Sequence, residues 1–212
     1  MSQSALRRRG QAAPPKVDGR RLRSDASRER IVAAMLDLVR EGAVSPSAEQ
    51  VAERAGLGRR TVFRLFKDME QLYAEMHAAM LGRVQRIVAE PIEGADWRAR
   101  LQAMLERRAR LFEEILVIKT AADAHRHRSK FLQAAHTELN QMLRELMSFL
   151  LPRDIKADRL LLEALDGVLS LDLWRRLRMD QRLSPEEATA VWRRLIAALL
   201  DTPRAPAAPP PA

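Results

Sequence analysis

The sequence predicts an all-α protein, and three observations support this prediction. Ala, Leu, Arg and Glu, which are strong helix formers, dominate the 212 residues. Aromatic residues, which favour pleated sheets, make up only 4% of the chain. Apolar residues recur at helical spacing over most of the chain, as in Ile31, Met35 and Leu38.

The ends of the predicted helices are marked by residues that cap or break helices. Ser47 with Gln50, and Ser184 with Glu187, have the spacing of a capping box, and Asp96 is a further candidate cap. The predicted helices cover residues 24 or 27 to 42, 48–55, 59 or 60 to 66, 68 or 69 to 88, 97–127, 129–151, 157–178 and 185–200.

Three of these helices have unusual features. The first has two candidate caps, Ser24 and Ser27, and neither has a complete capping box. The fifth contains a polar stretch, 119–127, where a kink or break is expected. Residues 157–178 are apolar around the whole circumference, as expected of a helix that is buried on more than one side.

The composition excludes several classes of function. Hydrophobic residues make up 47% and charged residues 31%, and no run approaches the roughly 18 apolar residues of a membrane span. No apolar segment follows Arg7, Arg8 and Arg9, so we expect no secretory signal peptide. The absence of cysteine excludes a disulfide framework, a thiolate metal cluster and a cysteine nucleophile. We therefore expect a cytoplasmic protein with no membrane partner.

The net charge of +9 lies mostly near the N-terminus. Residues 1–24 carry seven basic side chains and one acidic side chain, whereas residues 25–73 are balanced. The first segment is predicted to be a disordered basic arm suited to a polyanion, and a solvated tail that aids solubility is the alternative. Residues 201–212 hold five of the eleven prolines and are predicted to be a second disordered tail.

The second and third predicted helices indicate a helix-turn-helix. Each is about two turns long, and three residues, Gly56, Leu57 and Gly58, separate them. Glycine reaches the left-handed conformation that so tight a turn needs, and Ala52 and Ala55 let the helices approach closely. The stretch 58–67 contains no acid, and its basic residues are Arg59, Arg60, Arg64 and Lys67. Such a helix fits the major groove of DNA; a surface αα-corner with a solvated basic face is the alternative.

The helix-turn-helix also carries a family resemblance. Residues 47–72 read SAEQVAERAGLGRRTVFRLFKDMEQL and resemble the DNA-binding domain of TetR-type (TetR/AcrR-like) bacterial transcriptional regulators. The resemblance extends back to about Ser27, whereas the rest of the chain matches only in helical content and length. The matching positions are Ala52, Ala55, Gly56, Thr61, Phe66 and Leu72.

The resemblance implies a fold and a domain organisation. A three-helix DNA-binding domain over 25–73 is joined by a long fourth helix to a larger helical ligand-binding and dimerisation domain over 74–200. The sequence departs from the family pattern at four positions. Gly58 stands where the family often has a Ser that caps the recognition helix, and Arg60 stands where it often has a Gly. Phe63 stands where it usually has a Tyr whose hydroxyl reaches a phosphate, and Met69 corresponds to a common Lys. Neighbouring basic residues are expected to replace the lost phosphate contacts.

Candidate DNA-binding residues follow from position and resemblance. Arginines of the third helix are expected to reach bases or phosphates, and the basic arm to add phosphate or minor-groove contacts. The resemblance implies that Thr61 contacts the DNA backbone or a thymine methyl. Ser47 is expected to offer its backbone N–H and hydroxyl to a phosphate. The set is Ser47, Arg59, Arg60, Thr61, Phe63, Arg64 and Lys67.

The larger domain is expected to dimerise and to bind an unknown small-molecule effector. Candidate interface residues, for which monomer core is the alternative, are Leu165, Leu169, Trp174, Trp192, Leu195 and Leu199. Candidate ligand-binding residues, for which plain core is again the alternative, are Met104, Phe112, Leu116, Phe131, Met142 and Met147. The spacing of His125, His127 and His136 does not suit a metal, and no cofactor is expected.

The function these features favour is a dimeric repressor that binds a palindromic double-stranded DNA operator and is released by the effector. A non-specific architectural DNA-binding protein is the alternative. A third hypothesis is an all-α enzyme that uses Glu113, Glu114 or Glu163, but the sequence has no nucleophile motif and no phosphate-binding glycine loop. We therefore expect that the protein is not an enzyme.

Overall fold

The structure is a computed structural model that describes residues 19–66 and 68–202. Every regular element in these two ranges is helical, which confirms the all-α prediction. The elements are α1 (Gly19–Arg40), α2 (Ala48–Ala55), α3 (Arg59–Leu65), α4 (Met69–Ala89), α5 (Trp97–Arg126), α6 (Lys130–Leu150), α7 (Arg153–Ala157), α8 (Arg159–Val168), α9 (Leu171–Arg175), a π-helical turn (Arg176–Asp180) and α10 (Pro185–Asp201).

Helix α1 begins earlier than predicted. Neither Ser24 nor Ser27 starts it, since both lie within a helix that begins at Gly19. The Ser27 hydroxyl donates a hydrogen bond to the Arg23 carbonyl one turn earlier, as a mid-helix serine does. Residues 19–24 of the predicted basic arm are therefore helical. Residues 1–18 of that arm and residues 203–212 of the predicted tail lie outside the described residues.

Local capping chemistry explains where the other helices begin. Both predicted capping boxes are present: Ser47 with Gln50 at α2, and Ser184 with Glu187 at α10. Asp96 accepts a hydrogen bond from the backbone N–H of Ala99 at the start of α5, as predicted. The expected kink or break within 119–127 was wrong, since α5 is continuous to Arg126. This stretch contains neither glycine nor proline, so nothing in it opposes a helix.

The prediction of one helix over 157–178 was also wrong. Asp158 accepts a hydrogen bond from the backbone N–H of Leu161, and Ser170 accepts one from that of Leu173. These side chains cap two separate short helices, α8 and α9, where one long helix was expected. The changes of direction let apolar residues of several faces point into one core, including Leu165, Leu169, Trp174 and Leu177.

Helix α5 lies at the centre of the fold and packs against α1, α4, α6, α9 and α10. The core is continuous from the first three helices to α10. Its largest aromatic cluster joins Phe112 of α5 to Trp174 and Trp192, whose ring centroids are 4.4 Å apart. Among the described helices, none is both long and apolar enough to cross a membrane.

Four predicted interface residues lie in this core of the single chain: Leu165, Leu169, Trp174 and Trp192. In the single chain at most 1% of each residue is exposed, so these residues have no free surface for contact with a second protomer. This corrects the interface prediction at those positions. Leu195 and Leu199, both on α10, stay exposed and half-buried respectively, so the prediction remains open for them.

The turn glycine Gly56 supplies a first testable prediction. Its φ is +61°, and a Cβ at this position would lie 2.9 Å from Nη2 of Arg30. We expect Gly56→Ala to lower the free energy of unfolding by about 1–2 kcal/mol, since an L-residue is strained in this conformation. Urea denaturation measures the change.

The matched control is Gly82→Ala within α4, where φ is not positive and no atom would contact the added methyl group. It should leave stability unchanged or raise it by up to about 1 kcal/mol. Equal effects of the two substitutions would contradict the proposed role of the turn.

Candidate nucleic-acid interface

The turn between α2 and α3 has the geometry of a helix-turn-helix. Gly56 is left-handed (φ 61°, ψ 40°) and donates its N–H to the Glu53 carbonyl, while Leu57 donates to the Ala52 carbonyl at 2.9 Å. This pair of hydrogen bonds is a Schellman motif, which ends α2 and redirects the chain into α3. The left-handed glycine predicted from the sequence is therefore confirmed.

Two arginines of α1 hold the motif in place, and neither is among the residues predicted from the sequence. Arg30 donates hydrogen bonds to the carbonyls of Ala55 and Gly56 at the turn itself. Arg28 donates to the carbonyl of Leu65, the last residue of α3, at 2.8 Å. Side chains of α1 thus contact both the turn before α3 and the last residue of α3.

Arg28 also connects this module to α4. Its guanidinium forms an ion pair with Glu75 of α4, with Nε 3.1 Å from the carboxylate, and lies 4.9 Å from the ring centroid of Phe66. No local pattern could have indicated this contact, because Arg28 and Glu75 are 47 residues apart. One side chain of α1 therefore contacts both α4 and the end of α3.

Helix α3 presents a basic outer face. Val62 and Leu65 are buried, whereas Arg60 and Arg64, one turn apart, are exposed. Among the described residues, Arg60 and Arg64 have no carboxylate partner within 4 Å, so both cations are free to meet a phosphate or a base. Thr61 is half-buried at the edge of this face.

Arg59 and Phe63 form a pair on the same helix. Arg59 makes an ion pair with Glu49 of α2, and its guanidinium lies 5.5 Å from the Phe63 ring centroid. The Phe63 residue is 56% exposed, which is unusual for phenylalanine and places an aromatic face at the rim of the basic surface. Lys67, the remaining predicted basic residue, lies outside the described residues.

Ser47 is less available than predicted. Its backbone N–H donates to Oε1 of Gln50 at 2.8 Å, and its hydroxyl oxygen accepts from the Gln50 N–H at 3.2 Å. The expectation that the backbone N–H reaches a phosphate therefore needs correction, since the capping box already uses that donor. The exposed hydroxyl keeps its own proton for an acceptor.

The predicted ligand-binding residues do not line one site. Met104, Phe112, Leu116 and Met147 are buried core residues, and Phe131 packs edge-on against the His77 ring. Met104 and the exposed Met142 both line a cavity of about 310 Å³ between α4, α5 and α6. Arg108 is buried there and donates hydrogen bonds to the carbonyls of Leu143 and Leu169; burial lowers the pKa of Arg108 to about 10.

A second cavity contains none of the predicted ligand residues. It has a volume of about 40 Å³ and lies between α1, α4, α5 and α6. We call it the Lys119 cavity after the buried lysine in its wall. Its lining residues are Met35, Val39, Val44, Tyr73, Met76, His77, Met80, Ile118, Lys119, Ala121, Ala122, His125, Leu132 and Ala135.

Several histidines and carboxylates of the other hypotheses have structural partners. His125 stacks on Tyr73, and His136 contacts Arg126 and Asn140. In the part of the chain that the structure describes, no cluster of three His, Asp or Glu side chains could hold a metal ion. Glu113 accepts hydrogen bonds from the Trp174 indole and from Arg178, Glu163 accepts from Arg144, and Glu114 is exposed.

Comparison with known proteins supports the fold. The chain is similar to a protein from Rhodococcus sp. provisionally assigned to the TetR family of transcriptional regulators (TM-score 0.59, 16% identity, 85% of this chain and 100% of that one). It is also similar to a transcriptional regulator from Rhodococcus sp. Rha1, with a TM-score of 0.59 and 23% identity over 82% of this chain and 96% of that one. A TetR transcriptional regulator from Rhodococcus sp. RHA1 has a TM-score of 0.50 and 20% identity over 84% of this chain and 96% of that one. No protein-family model and no curated protein sequence matches the chain.

Proposed function

We propose that this chain, which has the fold of TetR-family transcriptional regulators, is a sequence-specific DNA-binding regulator of transcription. One observation carries the proposal: Arg60 and Arg64 stand exposed and unpaired, within the described residues, on a helix that Arg28 holds at its last residue and that follows a turn held by Arg30. A rigidly held helix with free guanidinium groups suits base reading, because a bidentate contact to guanine needs a defined geometry.

The remaining polar residues of the surface have positioning roles in this proposal. The Ser47 hydroxyl would donate a hydrogen bond to a phosphate, and Arg59 would bind a phosphate after its ion pair with Glu49 breaks. Thr61 would contact the DNA backbone or a thymine methyl. Phe63 has no hydroxyl to donate to a phosphate, and its exposed ring supports Arg59 instead. Together these contacts would hold α3 in the major groove of a double-stranded operator.

The proposed active form is a homodimer, since two recognition helices one DNA turn apart read a palindrome. Helices α8 and α10 pack against each other, and Leu160 on α8 is 71% exposed while Leu195 on α10 is 38% exposed. Exposed leucines on adjacent helices favour this face as the contact between protomers. The face keeps the predicted Leu195 and Leu199 and replaces the buried interface candidates.

A double substitution tests the dimer. We expect Leu160→Glu with Leu195→Glu to raise the dimer dissociation constant at least about a hundredfold, because four unpaired carboxylates would be buried across the twofold axis. Sedimentation equilibrium measures the change. Leu81→Glu is the matched control, since Leu81 is an exposed leucine on α4. A wild-type monomer, or a double variant that dimerises normally, would contradict this assignment.

The proposed regulation is that a small-molecule effector releases a repressor from its operator. Helix α4 connects the two parts of the molecule: Glu75 pairs with Arg28, and Glu70 accepts a hydrogen bond from the Phe131 N–H at 2.9 Å. An effector that prefers one position of α4 would shift the separation of the two α3 helices, and DNA would weaken effector binding reciprocally.

Selection from a random-sequence DNA library tests the function. At about 150 mM salt, where non-specific electrostatic binding is weakened, the purified full-length protein should enrich an inverted repeat. Uniform retention of all duplexes would favour the architectural alternative. If the folded protein retains no duplex, the DNA-binding proposal is wrong and the enzyme hypothesis is the alternative. The structure offers that hypothesis little support, because Glu113 and Glu163 are already paired with other side chains.

A further inference from the structure

The cavity between α4, α5 and α6 has an apolar wall around one buried guanidinium group. We call it the Arg108 cavity; its volume is about 310 Å³, and seven of its nine lining residues are apolar, including Ile87, Met104 and Leu111. The other two are Arg107 and Arg108, and no aspartate or glutamate is among the described residues that line it. The wall therefore offers apolar surface and positive charge to a ligand.

Arg108 is the buried cation of this wall. Only 3% of the residue is exposed, and burial lowers the pKa of its guanidinium to about 10. Its Nη2 donates to the Leu143 carbonyl at 2.6 Å and its Nη1 to the Leu169 carbonyl at 3.3 Å. Its Nε is buried and has no hydrogen-bond acceptor among the described residues. Both acceptors are neutral carbonyls, so the charge of the guanidinium has no counter-ion in contact with it.

A buried cation costs free energy unless an anion pairs with it. The described carboxylate whose charge acts on Arg108 is that of Asp166, but Asp166 forms its ion pair with Arg144, at 2.9 Å. Arg178, by contrast, has its Nε 2.8 Å from the carboxylate of Glu113. Within residues 19–66 and 68–202, Arg108 thus lacks the anionic partner that more exposed arginines of this fold have.

A second guanidinium belongs to the same wall. Arg107 is half-buried, and its Nη1 donates to the Val88 carbonyl of α4 at 3.2 Å. The charge of the Glu90 carboxylate acts on Arg107, but this carboxylate forms its ion pair with Arg110. An anionic ligand would therefore be attracted by two guanidinium groups, whereas a cationic ligand would be repelled by both.

The volume and the wall limit the ligand to an apolar body of moderate size. An apolar cavity of about 150 Å³ holds benzene, so about 310 Å³ holds roughly twelve non-hydrogen atoms. Val88 of α4 and Met142 of α6 belong to the wall and are exposed, so the cavity is open to solvent between these helices. Carboxylate is the anion that fits, because its two oxygens match the N–H groups of a planar guanidinium and its single charge is less costly to bury than a phosphate dianion.

We infer that the Arg108 cavity binds a monocarboxylate with an apolar body, whose carboxylate pairs with the Arg108 guanidinium while its body lies against the apolar wall. Ile87 and Val88 of α4 belong to that wall. The same helix carries Glu75, the ion-pair partner of Arg28 on α1. An occupied cavity would therefore alter the packing of a helix that contacts the DNA-binding module. This regulatory step rests on the proposed function, whereas the binding step does not.

Isothermal titration of the full chain without DNA tests the binding step. Octanoate and 4-phenylbutyrate are the probes, and octanamide and 4-phenylbutanamide are their uncharged counterparts. We expect at least one carboxylate to bind and its amide to bind at least about tenfold more weakly, since the charge-assisted hydrogen bond is lost. The inference fails if neither carboxylate binds up to about 10 mM, beyond the usual range of specific recognition, or if carboxylate and amide bind equally.

The substitution Arg108→Gln tests the partner of the carboxylate. Glutamine removes the charge and keeps an amide that can donate to one of the two carbonyls. We expect this variant to bind the carboxylate at least about tenfold more weakly and the amide as wild type does. Arg128→Gln, at an exposed arginine beyond α5, should bind both like wild type. A folded Arg108→Gln variant that still prefers the carboxylate would overturn the inference.

A second substitution tests the location and leaves the buried arginine in place. Leu146 is a half-buried wall residue, and Leu146→Trp should fill part of the cavity and weaken the carboxylate at least about tenfold. Leu139→Trp is the matched control, since Leu139 lies two turns earlier on α6, is also half-buried and does not line the cavity. If the folded Leu146→Trp variant binds like wild type, the ligand lies elsewhere and the assignment of the cavity is wrong, even where Arg108→Gln does not fold.

The regulatory step has its own readout. With an operator from the selection experiment, the bound carboxylate should lower the DNA affinity of wild type and leave that of Arg108→Gln unchanged. Carboxylate binding that has no effect on a bound operator would overturn the regulatory step alone. Failure to select any operator would overturn the proposed function and leave the titration result standing.

Discussion

Replacing Arg60 and Arg64 together by alanine is expected to abolish operator selection while the protein stays folded. Both side chains are exposed and neither contributes an ion pair to the described fold, so the free energy of unfolding should change little. Each bidentate arginine–guanine contact contributes about 1–3 kcal/mol of discrimination. The double variant should therefore lose about two to four orders of magnitude in specific affinity, as measured by fluorescence anisotropy with the selected duplex.

The control for this experiment removes the same charge elsewhere. Arg153 and Arg176 are also exposed and lie on α7 and on the π-helical turn, far along the chain from the helix-turn-helix. Arg153→Ala with Arg176→Ala should leave operator affinity near the wild-type value. If the two double variants lose equal affinity, net charge alone drives binding and the base-reading role of α3 is wrong.

The salt dependence distinguishes base contacts from phosphate contacts. An arginine that pairs with a phosphate adds about 0.9 to the negative slope of log K against log salt, whereas a base contact mainly changes the preference between sequences. If Arg64→Ala alone flattens the slope and weakens all duplexes alike, Arg64 meets the backbone. If it relaxes specificity at one operator position, Arg64 reads a base.

Sequence reasoning predicted the features that depend on neighbouring residues. The capping box of Ser47 and Gln50 and the left-handed Gly56 are set by side chains within one or two turns, so their spacing could be recognised in advance. The same holds for Ser184 and Glu187. Local chemistry of this kind decides where a helix starts and stops in most surroundings.

Features that depend on distant residues could not be predicted. Arg28 pairs with Glu75, and the small cavity beside Lys119 is lined by residues of α1, α4, α5 and α6, so neither arrangement is visible in any short window. The break near Asp158 is an intermediate case, since an aspartate within an apolar run has the chemistry of a cap but gave no clear boundary. Long-range packing therefore determines both the contacts of Arg28 with α3 and α4 and the position of the cavity.

The interface error has a specific physical cause. A segment that is apolar on every side must be covered, but composition does not say whether another part of the same chain or a second chain covers it. Here α5 and α10 cover it: Phe112 and Trp192 surround Trp174, and Glu113 of α5 accepts a hydrogen bond from its indole N–H at 2.8 Å. Core and interface readings of these tryptophans therefore predict different consequences of mutation.

Trp192→Ala is expected to lower the free energy of unfolding by about 3–5 kcal/mol, the usual loss for a fully buried tryptophan. The ring centroid of Trp192 lies 5.8 Å from that of Phe112 and 4.4 Å from that of Trp174, so truncation would leave a cavity in the core between α5, α9 and α10. Urea denaturation, with intrinsic fluorescence from the remaining tryptophans, measures the loss.

Trp192→Phe is the matched variant, and it should cost far less than the alanine change. Phenylalanine keeps most of the aromatic volume, and it removes the Trp192 indole N–H, which is buried without a hydrogen-bond acceptor in the described structure. A core residue thus predicts a large stability loss for Trp192→Ala and a small one for Trp192→Phe at any protein concentration. An interface anchor predicts a different pattern, in which the alanine variant dissociates into stable monomers whose unfolding no longer depends on protein concentration, unlike that of the wild-type dimer.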